Sequence, residues 1–184
     1  HKDTPELRLH DSPCSTAKLT PMEEGEQPAD PHQHRNLVGS LLCIAGHARP
    51  DTAHGVNQCT RHMAKPSKKH MNAAIRILGC LTQTIDVCML FEPNKDKRPT
   101  LEAHTDSDHM SSRDSSEKLR SVGGHLTFHE GNLVSHRAHT QKVPSASTTE
   151  SEIVEAVEGA QQTLFLTNVL LELGLATKKE HVLD

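Results

Sequence analysis

The chain has 184 residues, enough for one modest domain or two small ones, and its formal net charge of −4 gives no overall electrostatic pull toward nucleic acid. Hydrophobic residues make up 34% and aromatic residues 2%, with no Trp or Tyr, so a core rich in large aromatic side chains is excluded. We therefore expect a fold of marginal stability.

Cysteine and histidine usage excludes two common kinds of cross-linked site. The five cysteines are odd in number and form no C-x-x-C pair, so a disulfide framework is not expected. The fifteen histidines do not combine with them at the paired spacing of a structural site, so no zinc is expected. The polar amino end and the lack of an apolar run of about 18 residues predict an intracellular protein, cytoplasmic or nuclear, without a membrane span.

The first part of the chain is predicted to be a tail followed by three short helices. Residues 1–33 are rich in proline, histidine and acidic side chains, which is typical of a polar linker or disordered tail. A first helix is expected over residues 35–45, a second from Pro50, and a third after Ser67, which is suited to capping it. We take residues 34–95 as one helical segment.

A local group of basic residues lies on the second and third helices and the link between them. It could follow a phosphate backbone, or it could be an ordinary solvated helix face. Its members are Arg61, Lys65, Lys68, Lys69 and Arg76.

The remaining residues, 96–184, alternate in a way that predicts mainly strands and one long helix. We expect one strand just before this segment, over residues 87–91, and another over residues 101–106, with a charged turn between them. A hairpin of residues 122–129 and 133–139 would turn at Gly131. A long helix over residues 147–173 would end at Gly174, with an apolar face that includes Ile153, Val157 and Leu164. Residues 181–184 would begin a last strand. The fold class is therefore α+β or α/β.

Two carboxylates in this half have the placement of metal ligands. Asp106 projects from the face of its strand opposite the apolar one, and Glu152 lies one turn inside the long helix. Oxygen ligands of this kind suit Mg²⁺. Two simpler interpretations stay open: Asp106 and Asp108 could end a strand, and Glu152 could form a capping box with Thr149.

Several motifs, in order, resemble the copia-type LTR retrotransposon polyprotein where reverse transcriptase joins ribonuclease H. The sequence HRNLVGSLLCIA stands where that family has YRSLVGSLLYLA, and LEAHTDSDHMSSRD where it has LEAYSDSDWAGDRD. Further along, GHLTFHEGNLVSHR corresponds to GYLFTLGGNLVSWR, and STTESEIVEA to SSTEAEYIAL. The resemblance extends over residues 34–175.

The resemblance implies helices of the reverse transcriptase connection followed by a truncated ribonuclease H-like domain of strand, hairpin, long helix and strand. The family uses about four carboxylates and two Mg²⁺ ions to cut RNA in an RNA–DNA hybrid. Carried over by position, Asp106 is the first acidic ligand, Glu152 the second and Asp184 the third, although the family's Cys-Asp-Asn-Gln sequence does not occur at Asp184. A fourth would lie beyond residue 184, so we expect the isolated chain to be inactive and to associate with other segments of the polyprotein.

The chain departs from the family mostly where the family has Tyr or Trp. A buried aromatic residue replaced by a smaller one can cost about 3–5 kcal/mol, against a total stability of roughly 5–15 kcal/mol. These departures indicate a decayed element. They are His34, Cys43, His54, Cys80, His104, His125 and Ile153 in place of Tyr, and Met71, His109 and His136 in place of Trp.

Two other functions remain open. The chain could be a nucleic-acid-binding module without catalysis, using the basic residues between Arg61 and Arg76. It could also act only through protein interaction, with the apolar face between Ile153 and Leu173 packed against another subunit.

Overall fold

The computed structural model describes residues 11–15, 19–93, 101–112 and 120–175, and leaves the side chains of residues 109–112 undescribed. The chain divides into two compact units, 1–88 and 89–184. Within the described residues there are four α-helices and a three-stranded antiparallel sheet, so the mixed α and β class is confirmed. No helix among these residues is long and apolar enough to cross a membrane.

The first unit contains the three predicted helices. Helix α1 spans Pro31–His47 and is longer than predicted at both ends. It begins early because the Asp30 side chain accepts a hydrogen bond from the His32 N–H at 2.8 Å and because proline suits the first turn. After a 3₁₀ turn at Pro50–Thr52, helix α2 spans Ala53–Thr60. Helix α3 spans Lys68–Gln83 and begins at the predicted cap, Ser67.

The core of this unit is built from small and aliphatic side chains. Seven buried residues from α1, α2 and α3 pack together without an aromatic ring among them. The expectation that the core would lack large aromatic residues is confirmed for this cluster. Its members are Val38, Leu41, Ala45, Val56, Cys59, Ala74 and Ile77.

Part of the predicted polar tail lies along α3. The N–H of Lys68 donates to the Gln27 carbonyl at 2.9 Å, and the Ala29 N–H donates to the Pro66 carbonyl at 2.9 Å. Leu19 packs against the core cluster. Polar composition therefore does not prevent residues 19–30 from being bonded to the helical unit, because backbone groups provide most of these contacts. Residues 1–10 and 16–18 lie outside the described residues.

Two buried histidines help to hold this unit together. His70 accepts a hydrogen bond from the Ser67 N–H at Nδ1 (2.9 Å), and its Nε2 donates to the Thr20 carbonyl at 2.8 Å, which fixes the neutral ring. His34 is fully buried in α1. Burial is the main cause that lowers the pKa of both imidazoles below their ordinary value of 6.5, and the neighbouring His70 lowers the pKa of His34 further.

These pKa shifts predict that the helical unit loses stability in acid. Because the folded pKa values lie below 6.5, the unfolded chain binds more protons, so the stabilisation is complete above pH 6.5 and is lost as the pH falls. We expect His34→Leu to reduce this loss between pH 7.5 and pH 5, whereas His32→Leu, at an exposed position of the same helix, keeps the wild-type loss. This loss of stability is measured by urea unfolding at each pH, followed through the methyl NMR signals of Ile77. Equal losses in both variants would contradict the role of His34.

The second unit contains the three strands. Strands β1 (Leu101–Ser112), β2 (Arg120–His129) and β3 (Asn132–Thr140) follow one another across the sheet in the order β1-β2-β3. The β2–β3 hairpin is confirmed, and its turn places Glu130 at φ 51° and Gly131 at φ 77°. Two left-handed residues in succession are what a two-residue hairpin turn requires, and glycine adopts this conformation without strain.

The strand predicted over residues 87–91 is wrong. These residues have no strand pairing, and Val87, Leu90 and Phe91 are 55%, 73% and 59% exposed. Branched and aromatic composition favours a strand only when a neighbouring strand supplies backbone partners and covers one face. The predicted last strand, residues 181–184, lies outside the described residues, as does most of the predicted charged turn.

The long helix is confirmed, and the face that it buries is not the apolar one. Helix α4 spans Thr148–Glu172, and the residues that it buries recur every four positions: Ser151, Glu155, Gly159 and Thr163. Ile153, Val157 and Leu164 of the predicted apolar face are 60%, 51% and 54% exposed. The sheet places small and polar groups under the helix, so the small and polar stripe gives the closer packing. Association through the apolar face stays a prediction.

Gly159 is where α4 comes closest to the sheet. A Cβ atom at this position would overlap Cγ2 of Thr105 on β1, and one at Gly123 of β2 would overlap the carboxylate of Glu155. Only glycine fits at these two contacts without a shift of the neighbouring side chains.

We expect Gly159→Ala to destabilise the second unit by about 1–2 kcal/mol, because the overlap outweighs the gain in helix propensity. The matched control is Gly39→Ala in α1, where nothing lies within 4 Å of the new Cβ. That variant should instead stabilise its unit by about 0.4–1 kcal/mol. Urea unfolding followed by methyl NMR signals of each unit measures both. A stabilising Gly159→Ala would contradict the close packing of α4 on β1.

Candidate functional site

Asp106 lies in the regular part of β1, where it pairs with Gly124 of β2. Its neighbours face α4: Thr105 lies beneath Gly159, and the Ser107 hydroxyl donates a hydrogen bond to the Ser151 hydroxyl at 3.0 Å. Because side chains alternate along a strand, Asp106 projects from the other face of the sheet. Its side chain is exposed there.

An open pocket of about 270 Å³ lies beside Asp106. Asp106, Asp108 and His104 all line it, as expected for residues two apart on one strand. Arg137 also contributes to its wall. The pocket therefore brings two carboxylates and an imidazole together, a polar set able to contact a cation.

Glu152 is exposed in the first turns of α4 and is not the capping residue. The cap is Ser147, whose hydroxyl accepts a hydrogen bond from the Glu150 N–H at 3.1 Å, while the Glu150 carboxylate accepts from the Ala146 N–H at 2.6 Å. The capping box proposed for Thr149 and Glu152 is therefore wrong. Glu152 keeps its carboxylate available for another partner.

The predicted metal ligands thus lie on two elements. Alternation along β1 directs Asp106 away from the helix that carries Glu152. Asp184, the third predicted ligand, lies outside the described residues. The assignment of these three carboxylates to Mg²⁺ stays a prediction.

The predicted basic residues of the first unit differ in exposure and in the bonds that their side chains make within the chain. Lys69 forms an ion pair with Glu26 at 2.6 Å, and this hydrogen bond lowers the pKa of the Glu26 carboxyl below its ordinary value. Arg76 donates to the Ser12 carbonyl at 3.1 Å. Lys65 and Lys68 are exposed on either side of the α3 cap. The two exposed lysines are therefore the members best able to contact a phosphate.

Sequence reasoning missed a polar network between α4 and the sheet, centred on Glu155. This carboxylate is fully buried, with Oε1 3.2 Å from Nδ1 of His125 and Oε2 3.7 Å from Nε2 of His139. Glu158, one helical turn further along, places Oε2 3.0 Å from the same nitrogen of His139. Two carboxylates and two imidazoles therefore meet beneath the helix.

Two signals in the sequence could have indicated this network. Ser151, Glu155, Gly159 and Thr163 form a stripe of small and polar residues with helical spacing, the pattern of a helix that packs closely through that face. Gly123 and Gly124 interrupt a strand, which often marks the close approach of another group. The family pattern was no guide, because it has Ala where this chain has Glu155.

No family model matches the sequence, and no solved structure matches it. Among curated proteins, the retrovirus-related Pol polyprotein from transposon TNT 1-94 of Nicotiana tabacum is 33% identical over 94% of the chain and 12% of its own length. The Pol polyproteins from transposons RE2 and RE1 of Arabidopsis thaliana are 28% and 26% identical over 89% and 94% of the chain.

The chain spans 11–12% of the length of these three relatives. The aligned parts cover about nine tenths of the chain and so extend over both of its units. The chain is a homologue of one segment of the Pol polyproteins of copia-type retrotransposons.

Proposed function

We propose that the chain is the Pol segment that joins the reverse transcriptase connection to ribonuclease H, and that it does not cut RNA as an isolated chain. Three observations support the assignment: the helical first unit, the antiparallel β1-β2-β3 sheet, and a long helix that follows β3 and packs on β1 and β2. This is the order of elements that the motif resemblance implies. Asp106 on β1 and Glu152 on α4 would be the Mg²⁺ ligands of the ancestral site.

The position of Asp106 carries the second part of this proposal. Two-metal hydrolysis needs several carboxylates around ions about 3.5–4 Å apart. In this chain, Thr105 and Ser107 face the helix that bears Glu152, and Asp106 projects from the opposite face. This placement of Asp106 supports the proposal that it and Glu152 do not bind a shared pair of ions in the isolated chain.

Cleavage of an RNA–DNA hybrid with a labelled RNA strand tests this proposal in Mg²⁺ and in Mn²⁺. We expect the chain to release no more product than its Asp106→Asn variant, since Asp106 projects from the face of the sheet opposite the helix that bears Glu152. Circular dichroism of both samples must show that they are folded. Cleavage by the wild-type chain that is lost in both Asp106→Asn and Glu152→Gln would contradict the proposed inactivity. It would indicate that these two carboxylates bind the metal ions.

A second candidate function is hybrid binding without cleavage, and the exposure of Lys65 and Lys68 favours it. Both ammonium groups lie near the amino end of α3, where the helix dipole adds partial positive charge. The net charge of −4 opposes this local attraction, so binding should be weak and should decrease steeply with salt.

We expect the double variant Lys65→Glu/Lys68→Glu to weaken hybrid binding and to lower the slope of log K against log salt by about 2. Lys142→Glu, an exposed lysine of the other unit, is the matched control and should leave the slope nearly unchanged. Lys69→Glu is unsuitable because it would break the ion pair with Glu26. Fluorescence anisotropy at several salt concentrations measures the slope. An equal decrease in the control would contradict a site at α3.

A further inference from the structure

Three side chains beneath α4 bring metal-binding atoms together on the face of the sheet opposite Asp106. His139 of β3 and Glu155 and Glu158 of α4 each offer one donor atom, and the three atoms lie within 4.8 Å of one another. Nε2 of His139 is 3.0 Å from Oε2 of Glu158 and 3.7 Å from Oε2 of Glu155. Ligand atoms about 2.0–2.2 Å from a tetrahedral Zn²⁺ are about 3.3–3.6 Å apart, and the observed separations of 3.0 and 3.7 Å lie on either side of this range.

The buried carboxylate of Glu155 is directed into this group. Its Oε1 faces His125, whereas its Oε2 makes no hydrogen bond to any described residue. An ionised carboxylate with 0% side-chain exposure is costly unless a positive charge compensates it. A divalent cation would compensate both Glu155 and Glu158.

Gly123 provides the space that the Glu155 carboxylate occupies. Any other residue there would place a Cβ atom on the carboxylate oxygen itself. Glu158 is 23% exposed, so an ion could reach the group from solvent at that side. Arg137 contacts the same oxygen of Glu158 at 3.3 Å, but its side chain is 51% exposed and can turn into solvent.

We propose that His139, Glu155 and Glu158 bind one divalent transition-metal ion, for which Zn²⁺ is the best match. One imidazole and two carboxylates suit Zn²⁺, whereas Mg²⁺ prefers oxygen ligands alone. His125 would hold Glu155 in place from outside the ion's own ligands, an arrangement that orients a metal-bound carboxylate. The site is independent of Asp106, because Asp106 projects from the opposite face of the sheet.

Isothermal titration calorimetry of the full chain with Zn²⁺, and separately with Mg²⁺, tests the proposal. We expect one Zn²⁺ per chain at a site tighter than any other, little affinity of that site for Mg²⁺, and a rise in Tm with Zn²⁺. In His139→Gln and in Glu158→Gln the affinity should fall by at least about tenfold and the rise in Tm should disappear. Both variants alter partly exposed side chains, so the outcome does not depend on replacing the buried Glu155.

Two variants serve as controls. His136→Gln alters a histidine of the same strand that faces the other side of the sheet, and Asp106→Asn alters the proposed Mg²⁺ ligand. Both should keep the Zn²⁺ site. The proposal would be overturned if no one-to-one Zn²⁺ site is found, or if His136→Gln weakens the site as much as His139→Gln does. The group would then be a polar network of histidines and carboxylates without a metal ion. A site lost in Asp106→Asn would overturn the proposal as well.

Discussion

The close contact between α4 and the three-stranded sheet is the interaction on which the second unit depends. It is made through Gly159, through Gly123 and through a buried carboxylate rather than through large aliphatic side chains. Such packing supplies less hydrophobic stabilisation than a leucine-rich face, so more of the stability comes from the close fit of the two surfaces. The same contact determines which side of β1 faces the helix, and thereby where Asp106 points.

Much of the architecture could be predicted from periodicity and turn chemistry. The β2–β3 hairpin followed from alternation and Gly131, and the start of α3 followed from Ser67, because these signals act through neighbouring residues. The buried face of α4 could not be predicted in the same way. Its apolar residues have the helical spacing of a core face, but the partner surface beneath the helix contains Gly123 and Thr105, which only the tertiary structure brings there.

The two candidate sites also differ in whether a local sequence pattern could indicate them. Asp106 and Glu152 were found through motifs in which the important residues are close in sequence. The network around Glu155 joins β2, β3 and α4, with its histidines 16 to 30 residues away along the chain. No local pattern connects such residues. The prediction of a strand over residues 87–91 failed for a related reason, because composition does not reveal whether a neighbouring strand is available.

The order of strands has a consequence for solubility. Among the described strands, β1 pairs with β2 on one side and with none on the other, which is the position of an edge strand. An exposed edge of this kind can recruit a strand from a second molecule and begin aggregation. Glu102, Asp106 and Asp108 lie along that edge, and the repulsion between their charges and those of an approaching copy opposes such pairing. The acidic residues of β1 thus act as protection against self-association, whatever their role toward metal ions.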